Sequence, residues 1–418
     1  MPLGLLALGS WLEGRHVVIV DGRFELAPEA RVVELVRNAL VLGVSVRTGE
    51  PLREALRVSR AARAASPRLP VVWGGPHTLL DPESCFASGV VDACVSGAGE
   101  EPLQAAVTAL RSGRPLASVS GLRVAGAPAV PPPPPPTQLW PRADYSLLDM
   151  ERYFEARGGR RLDYCSSRGR RDAPGWLGLR PERVAGEVVE LAERYRAGEL
   201  WFQDEDFFAD PARVEAIASG LIDAGAALAW RAEARPEDVL EAGPGALQRL
   251  AQSGCLGLQL LVGGVARERL LEAAARLSGA GLGGRFVFDV AEAGGPGELA
   301  AAVSGARALC AMDSRFLTPI RQRRVQPTQA GPGRSLEAWA TLERAAWRDA
   351  GAERRLSRVA FYFAEAQRTP GRRLGKHLLR VLSLLRVRLG FFALDLERVA
   401  VDLSARVRTG RTRPAPGG

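Results

Sequence analysis

Short apolar segments alternate with helical patterns in two series along this chain, and six consecutive prolines at 131–136 separate the two series. Helical patterns such as 28–39 and 51–65 lie between the apolar segments. The predicted strands of the first series are HVVIVDG (16–22), VLGVSV (41–46), PVVWGG (70–75) and DACVSG (92–97). Strands that alternate with helices form parallel sheets with helices packed on both faces. The first series therefore predicts an α/β, doubly wound (Rossmann-like) parallel sheet.

The second series starts after the proline run, which is too stiff and too poor in N–H donors to join a sheet. Its strands are predicted at 161–165 and in ELWFQDEDFF, ALAWRAEAR, GCLGLQLLVGG and GRFVFDVAEAGG. Such repeated units predict a partial (β/α) barrel of the TIM type. We expect a Rossmann-like domain at 1–126, a Pro-rich linker at 127–150, the barrel at 151–330, a helical region at 331–405 and a disordered tail at 406–418.

Composition excludes some classes of function. The net charge of +9 comes almost wholly from arginine, because Lys376 is the only lysine, and basic residues do not cluster among aromatic ones as in nucleic-acid-binding modules. The five cysteines lack the spacing of a metal site, which favours free thiols in a reducing cytoplasm. The apolar N-terminal segment is too short to span a membrane.

Three polar or glycine-rich turns follow predicted strands of the first series, at Ser45–Gly49, Gly74–Thr78 and Ser96–Glu100. Ligands of open parallel sheets bind beyond the carboxyl ends of the strands. We therefore expect these turns to converge on one binding site.

The motifs in these turns are specific enough to suggest a family. VDGR, GVSVRTG, VVWGGPHTLLDPE and VDACVSGAGEEPL in the first half, together with the second half, resemble cobalamin (B12)-binding-domain radical S-adenosylmethionine (SAM) proteins. That group includes B12-dependent radical methylases and anaerobic oxidative cyclases. The resemblance implies a corrinoid partner and the following contact residues: Ser45, Thr48, Gly49, Gly74, Gly75, His77, Gly97, Gly99 and Glu100.

His77 has two interpretations. It either touches the lower face of the corrinoid, or it is a loop histidine that caps the helix starting near Asp81. The DxHxxG motif that supplies a cobalt ligand in other B12 proteins is not found in the sequence. The strand that precedes the first helix in the family is not found before PLGLLALGSWLEG either. We expect a sheet without that strand, as a truncated gene model would give.

In the second half, the resemblance depends on SSRG (166–169), LRPERVAGEVVEL, ELWFQDEDFF and WRAEARPEDVL. It implies that Asp204, Glu205 and Asp206 lie near the amino group of SAM and that Arg231 or Arg235 contacts its carboxylate. The alternative for the acidic triplet is a solvated loop paired with nearby arginines.

Two features depart from the family. Its CxxxCxxC motif, whose three thiolates hold a [4Fe-4S] cluster, should begin after Gly169, but Arg170 and Arg171 follow, and no cysteine appears before Cys255. Gly263 and Gly264 occupy positions where the family carries a Glu and a Ser for the SAM ribose. We therefore predict that the cluster and SAM have been lost and that reductive SAM cleavage does not occur.

These observations favour a corrinoid-binding accessory protein or a B12-dependent catalyst that does not use radicals. One alternative is an inert partner of an intact radical SAM paralogue. Its interface would include Leu378, Leu379, Leu382, Leu385, Leu389, Phe391 and Phe392. The other alternative is an active methyltransferase or cyclase with unusual cluster ligands. The sequence does not identify the substrate.

Overall fold

The computed structural model describes residues 1–12, 14–25, 27–127, 141–172, 175–243, 245–262, 265–291, 295–313, 315–316, 320–323, 335–336 and 338–339. The whole proline run, Gly263, Gly264 and the apolar residues at 378–392 lie outside the described residues. The chain divides into two compact units. The first comprises Met1–Ala234, Ala242–Leu256 and Arg324–Asp349, and the second comprises Arg235–Glu241, Gly257–Arg323 and Ala350–Gly418.

The helices and strands of the first series are α1 (Leu3–Trp11), α2 (Pro28–Val36), β1 (Leu42–Ser45), α3 (Glu50–Ala65), β2 (Val71–Gly74), α4 (Pro76–Leu80), α5 (Pro82–Ala87), β3 (Ala93–Val95), α6 (Glu100–Arg111) and β4 (Leu122–Val124). The strand order is β1-β2-β3-β4. The first three strands are parallel, and β4 runs antiparallel to β3.

Alternating residues of the central strand pack on opposite faces of this sheet. Val71 and Trp73 belong to the core cluster that includes α3 and α5, whereas Val72 packs in the cluster that includes α6. This burial on both faces is the arrangement expected for a doubly wound parallel sheet. The predicted fold class is thus confirmed for this part of the chain.

The predicted strand at 16–22 is not observed, since residues 16–20 carry no strand assignment. In the described part of the chain, this segment makes none of the backbone hydrogen bonds that define a sheet, and β1 pairs with β2. Val20 instead packs against the cluster of Val32 and Val36. The run of β-branched residues correctly predicted that side chains of this segment pack against the core. A strand also requires a neighbouring strand that pairs with its backbone N–H and C=O groups.

The second series contains α7 (Met150–Arg157), β5 (Arg161–Tyr164), β6 (Ser167–Arg168), β7 (Leu177–Gly178), α8 (Pro181–Tyr195), β8 (Glu199–Phe202), α9 (Pro211–Asp223), β9 (Ala229–Ala234), α10 (Pro236–Glu241), α11 (Ala246–Gln252), β10 (Cys255–Val262), α12 (Arg267–Gly279), β11 (Gly283–Ala291), α13 (Gly295–Met312) and β12 (Ile320–Arg323).

In the first unit, β5, β8 and β9 form consecutive parallel pairs, and β6 and β7 form a short antiparallel hairpin. In the second unit, β10, β11 and β12 are likewise parallel neighbours. Helices alternate with these strands, as the sequence predicts for β/α units. Among the described residues, no helix combines the length and apolar character needed to cross a bilayer.

Candidate functional site

The three turns predicted to converge lie at one edge of the first sheet, because β1, β2 and β3 are parallel and each turn follows a carboxyl end. Ser45, Pro76 and Gly97 are exposed there. Leu79 is the most exposed of the large apolar side chains in the described part of the chain, at 59%. We call Ser45–Gly49, Gly74–Thr78 and Ser96–Glu100 the carboxyl edge. It presents backbone groups, small side chains and the exposed Arg47, and the apolar Leu79 follows its second turn.

Gly75 is required by the geometry of the second turn. Its φ of +108° and ψ of −176° lie in a region that only glycine adopts readily. A Cβ at this position would also lie 2.7 Å from the carbonyl oxygen of Val46. The absence of a side chain therefore lets the turn after β2 approach the turn after β1, and the backbone N–H of His77 donates to the same Val46 oxygen at 3.3 Å.

His77 is fully buried, and both of its ring nitrogens have partners. Nδ1 lies 3.1 Å from the hydroxyl of Thr48, and Nε2 lies 3.3 Å from the hydroxyl of Ser84. The ring thus connects the turn after β1 with α5. His77 does not cap α5, because the Asp81 carboxylate accepts from the Ser84 N–H. Contact between His77 and a corrinoid remains a prediction.

Two residues far along the chain also pack in this region, and no sequence pattern predicted them. Leu336 and Trp339 are buried in the same core cluster as Val46 and Trp73. The indole Nε1 of Trp339 donates to Asp81 at 2.8 Å. Because 258 residues separate Trp339 from Asp81 in the chain, no local pattern could have predicted their contact.

Cys85 and Cys94 lie in this core as free thiols. The interaction with Cys94 lowers the pKa of Cys85, although burial opposes the shift, and the interaction with Cys85, together with burial, raises the pKa of Cys94. The titration of either thiol therefore depends on the other.

Glu100 connects the carboxyl edge with the SSRG segment. Its carboxylate pairs with Arg168, and the side chains of Glu100 and Arg168 are only 10% and 33% exposed. Both residues belong to the first unit. The motif that resembles a corrinoid turn and the motif that resembles a cluster loop are therefore adjacent in space.

Two of the carboxylates that follow β8 are hydrogen-bonded to other side chains of the same chain. Asp204 is buried and accepts hydrogen bonds from the hydroxyls of Ser166 and Ser167 at 2.7 and 2.5 Å. Its burial raises the pKa of the carboxyl, and the hydrogen bonds from these serines work in the opposite direction. Of the three predicted residues, only Glu205 is exposed.

Asp206 is held by the loop that replaces the cluster motif. The Arg171 side chain and backbone donate to its carboxylate, at 2.9 Å from Nε and 3.0 Å from the backbone nitrogen. The indole of Trp176 donates to the carbonyl of Asp206 at 3.3 Å. This matches the predicted pairing with nearby arginines for Asp206. The rest of that alternative is wrong: Asp204 accepts from serines rather than from an arginine, and both Asp204 and Asp206 are buried rather than solvated.

A buried arginine of α9 also stabilises the same loop. Arg213 of α9 is buried and donates to the carbonyls of Ser166 and Leu179 at 2.7 and 2.8 Å. These bonds fix the two ends of the β6–β7 hairpin. The loop is thus held by specific polar contacts at both ends.

The loop offers no thiolate set for an iron–sulfur cluster. Cys165, the nearest cysteine in sequence, donates from Sγ to the carbonyl of Ser167 at 3.0 Å, and burial raises its pKa to about 12. Among the described residues, no three His, Cys, Asp or Glu side chains are grouped so that they could hold a metal ion. The residues present do not fit the cluster that the resemblance implies.

The two arginines proposed for a SAM carboxylate have different settings. Arg231 on β9 pairs with Glu199 of β8 at 3.1 Å. Arg235 belongs to the second unit, where its backbone N–H donates to Asp238 at 2.7 Å. Their role in binding SAM is still a prediction.

Comparisons with known proteins concern the family and the fold of the chain. Residues 1–107 match the model of the B12 binding domain. The chain is 28% identical over 258 residues to an uncharacterised methyltransferase of Pyrococcus horikoshii, an alignment covering 56% of this chain and 55% of the relative. It is 24% identical over 266 residues to the anaerobic magnesium-protoporphyrin IX monomethyl ester cyclase of Rubrivivax gelatinosus, covering 57% of this chain and 46% of that protein. The chain thus spans about half the length of these curated relatives.

Solved structures show the same fold. The radical SAM methyltransferase TsrM from Kitasatospora setae, with cobalamin and a [4Fe-4S] cluster bound, matches with a TM-score of 0.61 and 17% identity, covering 84% of this chain and 73% of TsrM. The cobalamin-dependent SAM radical enzyme OxsB, with aqua-cobalamin and SAM bound, matches with a TM-score of 0.56 and 16% identity, covering 83% of this chain and 53% of OxsB. The resemblance found in the sequence is confirmed: residues 1–107 match the B12 binding domain, and the chain has the fold of the radical SAM methyltransferase TsrM and of the cobalamin-dependent SAM radical enzyme OxsB.

Proposed function

We propose that this chain binds a corrinoid at the carboxyl edge and serves as a corrinoid-binding accessory protein or as a B12-dependent catalyst that uses no SAM radical. The observation that carries the proposal is the contrast between its two candidate sites. The carboxyl edge of the first sheet is open to solvent at Ser45, Pro76 and Gly97. The acidic end of β8 is closed by Arg171, Ser166 and Ser167.

The residues of the carboxyl edge fit a corrinoid. Gly97 has a φ of +105°, and a Cβ built there meets no atom within 4 Å, so the turn after β3 is open. Exposed backbone groups of such turns can bond the amides and phosphate of a corrinoid, and Leu79 offers apolar contact to its ring. When bound, a corrinoid supplies a cobalt centre for methyl-group chemistry, while these residues orient it and exclude water from one face.

The loop at 166–179 supports the second half of the proposal. Arg171 neutralises the negative charge that Asp206 would otherwise offer to a cationic ligand. Ser166 and Ser167 donate hydrogen bonds to the carboxylate of Asp204 and so occupy its oxygens. A SAM molecule would have to displace the chain's own donors from both carboxylates, and the loop contains no cysteine to hold a cluster beside it.

Reconstitution with hydroxocobalamin tests whether the chain binds a corrinoid. The full chain is incubated with hydroxocobalamin and desalted, and its visible spectrum is recorded; a colourless protein would refute corrinoid binding. Ser45→Trp places a large side chain on the carboxyl edge and should abolish retention of the cofactor. Ser112→Trp is the matched control, because Ser112 is exposed at the far end of α6, about 18 Å along the helix from Glu100.

Metal analysis tests whether the chain can hold an iron–sulfur cluster. We expect cobalt near one equivalent, and iron near background, after anaerobic reconstitution with iron, sulfide and hydroxocobalamin. Iron close to four equivalents per chain, with matching sulfide, would contradict the loss of the cluster and favour an active radical enzyme with ligands from elsewhere.

A further inference from the structure

The turn after β1 is connected to Trp339 through a chain of buried groups. Thr48, in that turn, contacts the imidazole of His77 at 3.1 Å. The ring of His77 meets the indole of Trp339 edge-on, with ring centroids 5.6 Å apart and an interplanar angle of 76°. Geometry of this kind is a favourable aromatic contact. Trp339 thus holds one side of the ring whose nitrogen contacts Thr48.

A second connection runs through Asp81. Its Oδ2 accepts from the indole N–H of Trp339 at 2.8 Å, while its Oδ1 accepts from the Ser84 N–H at 3.1 Å. The Ser84 hydroxyl in turn lies 3.3 Å from the other nitrogen of His77. His77, Asp81 and Trp339 are all at most 2% exposed, so water cannot readily replace a lost partner in this network.

We propose that Trp339 is a positioning residue for the carboxyl edge: through Asp81 and His77, it fixes the turn that carries Ser45 and Thr48 and thereby sets the affinity for a corrinoid. The second part of this inference depends on the proposed function. The first part concerns the protein without cofactor and can be tested on its own. Trp339 does not touch the corrinoid in this scheme but acts through His77.

The physical reason is the cost of an unpaired buried group. Without the indole N–H, Asp81 Oδ2 loses its donor in a buried site. The side chain can recover hydrogen bonds only by moving, and His77 and Thr48 move with it. A turn that samples several positions binds a rigid ligand more weakly, because binding must first restore the competent position.

The test compares two buried tryptophans that each donate a hydrogen bond from Nε1. Trp339→Phe keeps an aromatic ring and removes the N–H. Trp230→Phe is the matched control, since Trp230 is 1% exposed and its Nε1 donates to the Ser253 carbonyl at 3.0 Å in the barrel core. For Trp339→Phe, we expect the dissociation constant of hydroxocobalamin to rise about fivefold, equivalent to about 1 kcal/mol. We expect no change for Trp230→Phe.

The second readout needs no cofactor. The chain has only three histidines, at 16, 77 and 377, so the imidazole signals can be resolved by NMR. Trp339→Phe should shift the His77 ring signals and the Thr48 amide signal in the cofactor-free protein, whereas Trp230→Phe should shift neither. Unchanged His77 and Thr48 signals would overturn the proposed link, whatever the affinity.

A second variant covers the case in which Trp339→Phe does not fold. Thr48→Val removes the hydroxyl that contacts His77, at the partly exposed end of the same network. It should raise the dissociation constant of hydroxocobalamin by a similar factor. Thr48→Ser, which keeps the hydroxyl, should restore the wild-type value. In the double variant with Trp339→Phe, the two losses should not add, because both act through His77. Additive losses, or wild-type affinity in both single variants, would overturn the proposal. If the wild-type chain binds no hydroxocobalamin, the proposed function fails, and the NMR shifts alone decide the link.

Discussion

At the scale of single residues, Asp206 and Arg171 show how a buried carboxylate after β8 is paired within the chain. The Asp206 side chain is 3% exposed, and its carboxylate is paired with the 29%-exposed guanidinium of Arg171. A buried carboxylate that loses such a partner is strongly destabilising. The buried Asp206 carboxylate therefore depends on the ion pair with Arg171 for its stability in the fold.

Arg171→Gln should lower the free energy of unfolding by about 2–3 kcal/mol, because it leaves the Asp206 carboxylate buried without its ion pair. Arg170→Gln is the control: Arg170 pairs with Asp172 at 3.0 Å, but both side chains are about half exposed. We expect it to cost less than about 0.5 kcal/mol. Urea denaturation measures both. Equal costs for the neighbouring arginines would contradict the assigned role of Arg171.

At the scale of elements, the turns at the carboxyl ends of β1 and β2 depend on their close approach. Val46 donates its N–H to Gly74 at 2.7 Å and accepts from His77, and Gly75 leaves room for both bonds. Glycine is needed here for its backbone angles and also for its missing side chain.

Gly75→Ala and Gly97→Ala separate these two requirements. The glycines have nearly equal φ values, +108° and +105°, but a Cβ at Gly75 would lie 2.7 Å from the Val46 oxygen and one at Gly97 would meet nothing within 4 Å. We expect Gly97→Ala to cost about 1 kcal/mol from backbone strain, and Gly75→Ala to cost about 2 kcal/mol more. Thermal or urea denaturation measures the free energy of unfolding of each variant. Equal costs would show that the turn can move away from β1.

At the scale of the whole molecule, the ion pair of Glu100 and Arg168 joins the two predicted halves of the site within the first unit. If a corrinoid binds at the carboxyl edge, the loop at 166–179 adjoins it. The loop would then be part of the environment of the corrinoid, and its sequence contains no cysteine.

A double-mutant cycle with Glu100→Gln and Arg168→Gln should give a coupling energy of about 1 kcal/mol, since the Glu100 side chain is only 10% exposed. The same cycle on Arg31 and Glu34, which are 42% and 70% exposed on α2, should give less than about 0.5 kcal/mol. Both cycles are measured by urea denaturation without cofactor. A coupling of Glu100 and Arg168 no larger than that of the surface pair would mean that the halves are not joined there.

Local features of the sequence determined the elements and the edge on which they converge. Apolar runs bounded by glycine predicted β1, β2 and β3, and proline at the first position of α2 and α5 marks where those helices begin. Since parallel strands place their carboxyl ends together, the carboxyl edge followed from the order of elements alone. The missing thiolates were also visible without a structure, because a cluster motif is contiguous in sequence.

Only the tertiary structure decided which polar groups are available to a ligand. His77 packs against Trp339 in the core, Asp206 is paired with Arg171, and the apolar segment at 16–20 has no strand partner among the described residues. Each outcome depends on a partner distant in sequence, and burial and pairing are properties of the packed chain rather than of any local pattern. The sequence alone determined that these groups exist and lie near strand ends. Packing determined which of them face solvent.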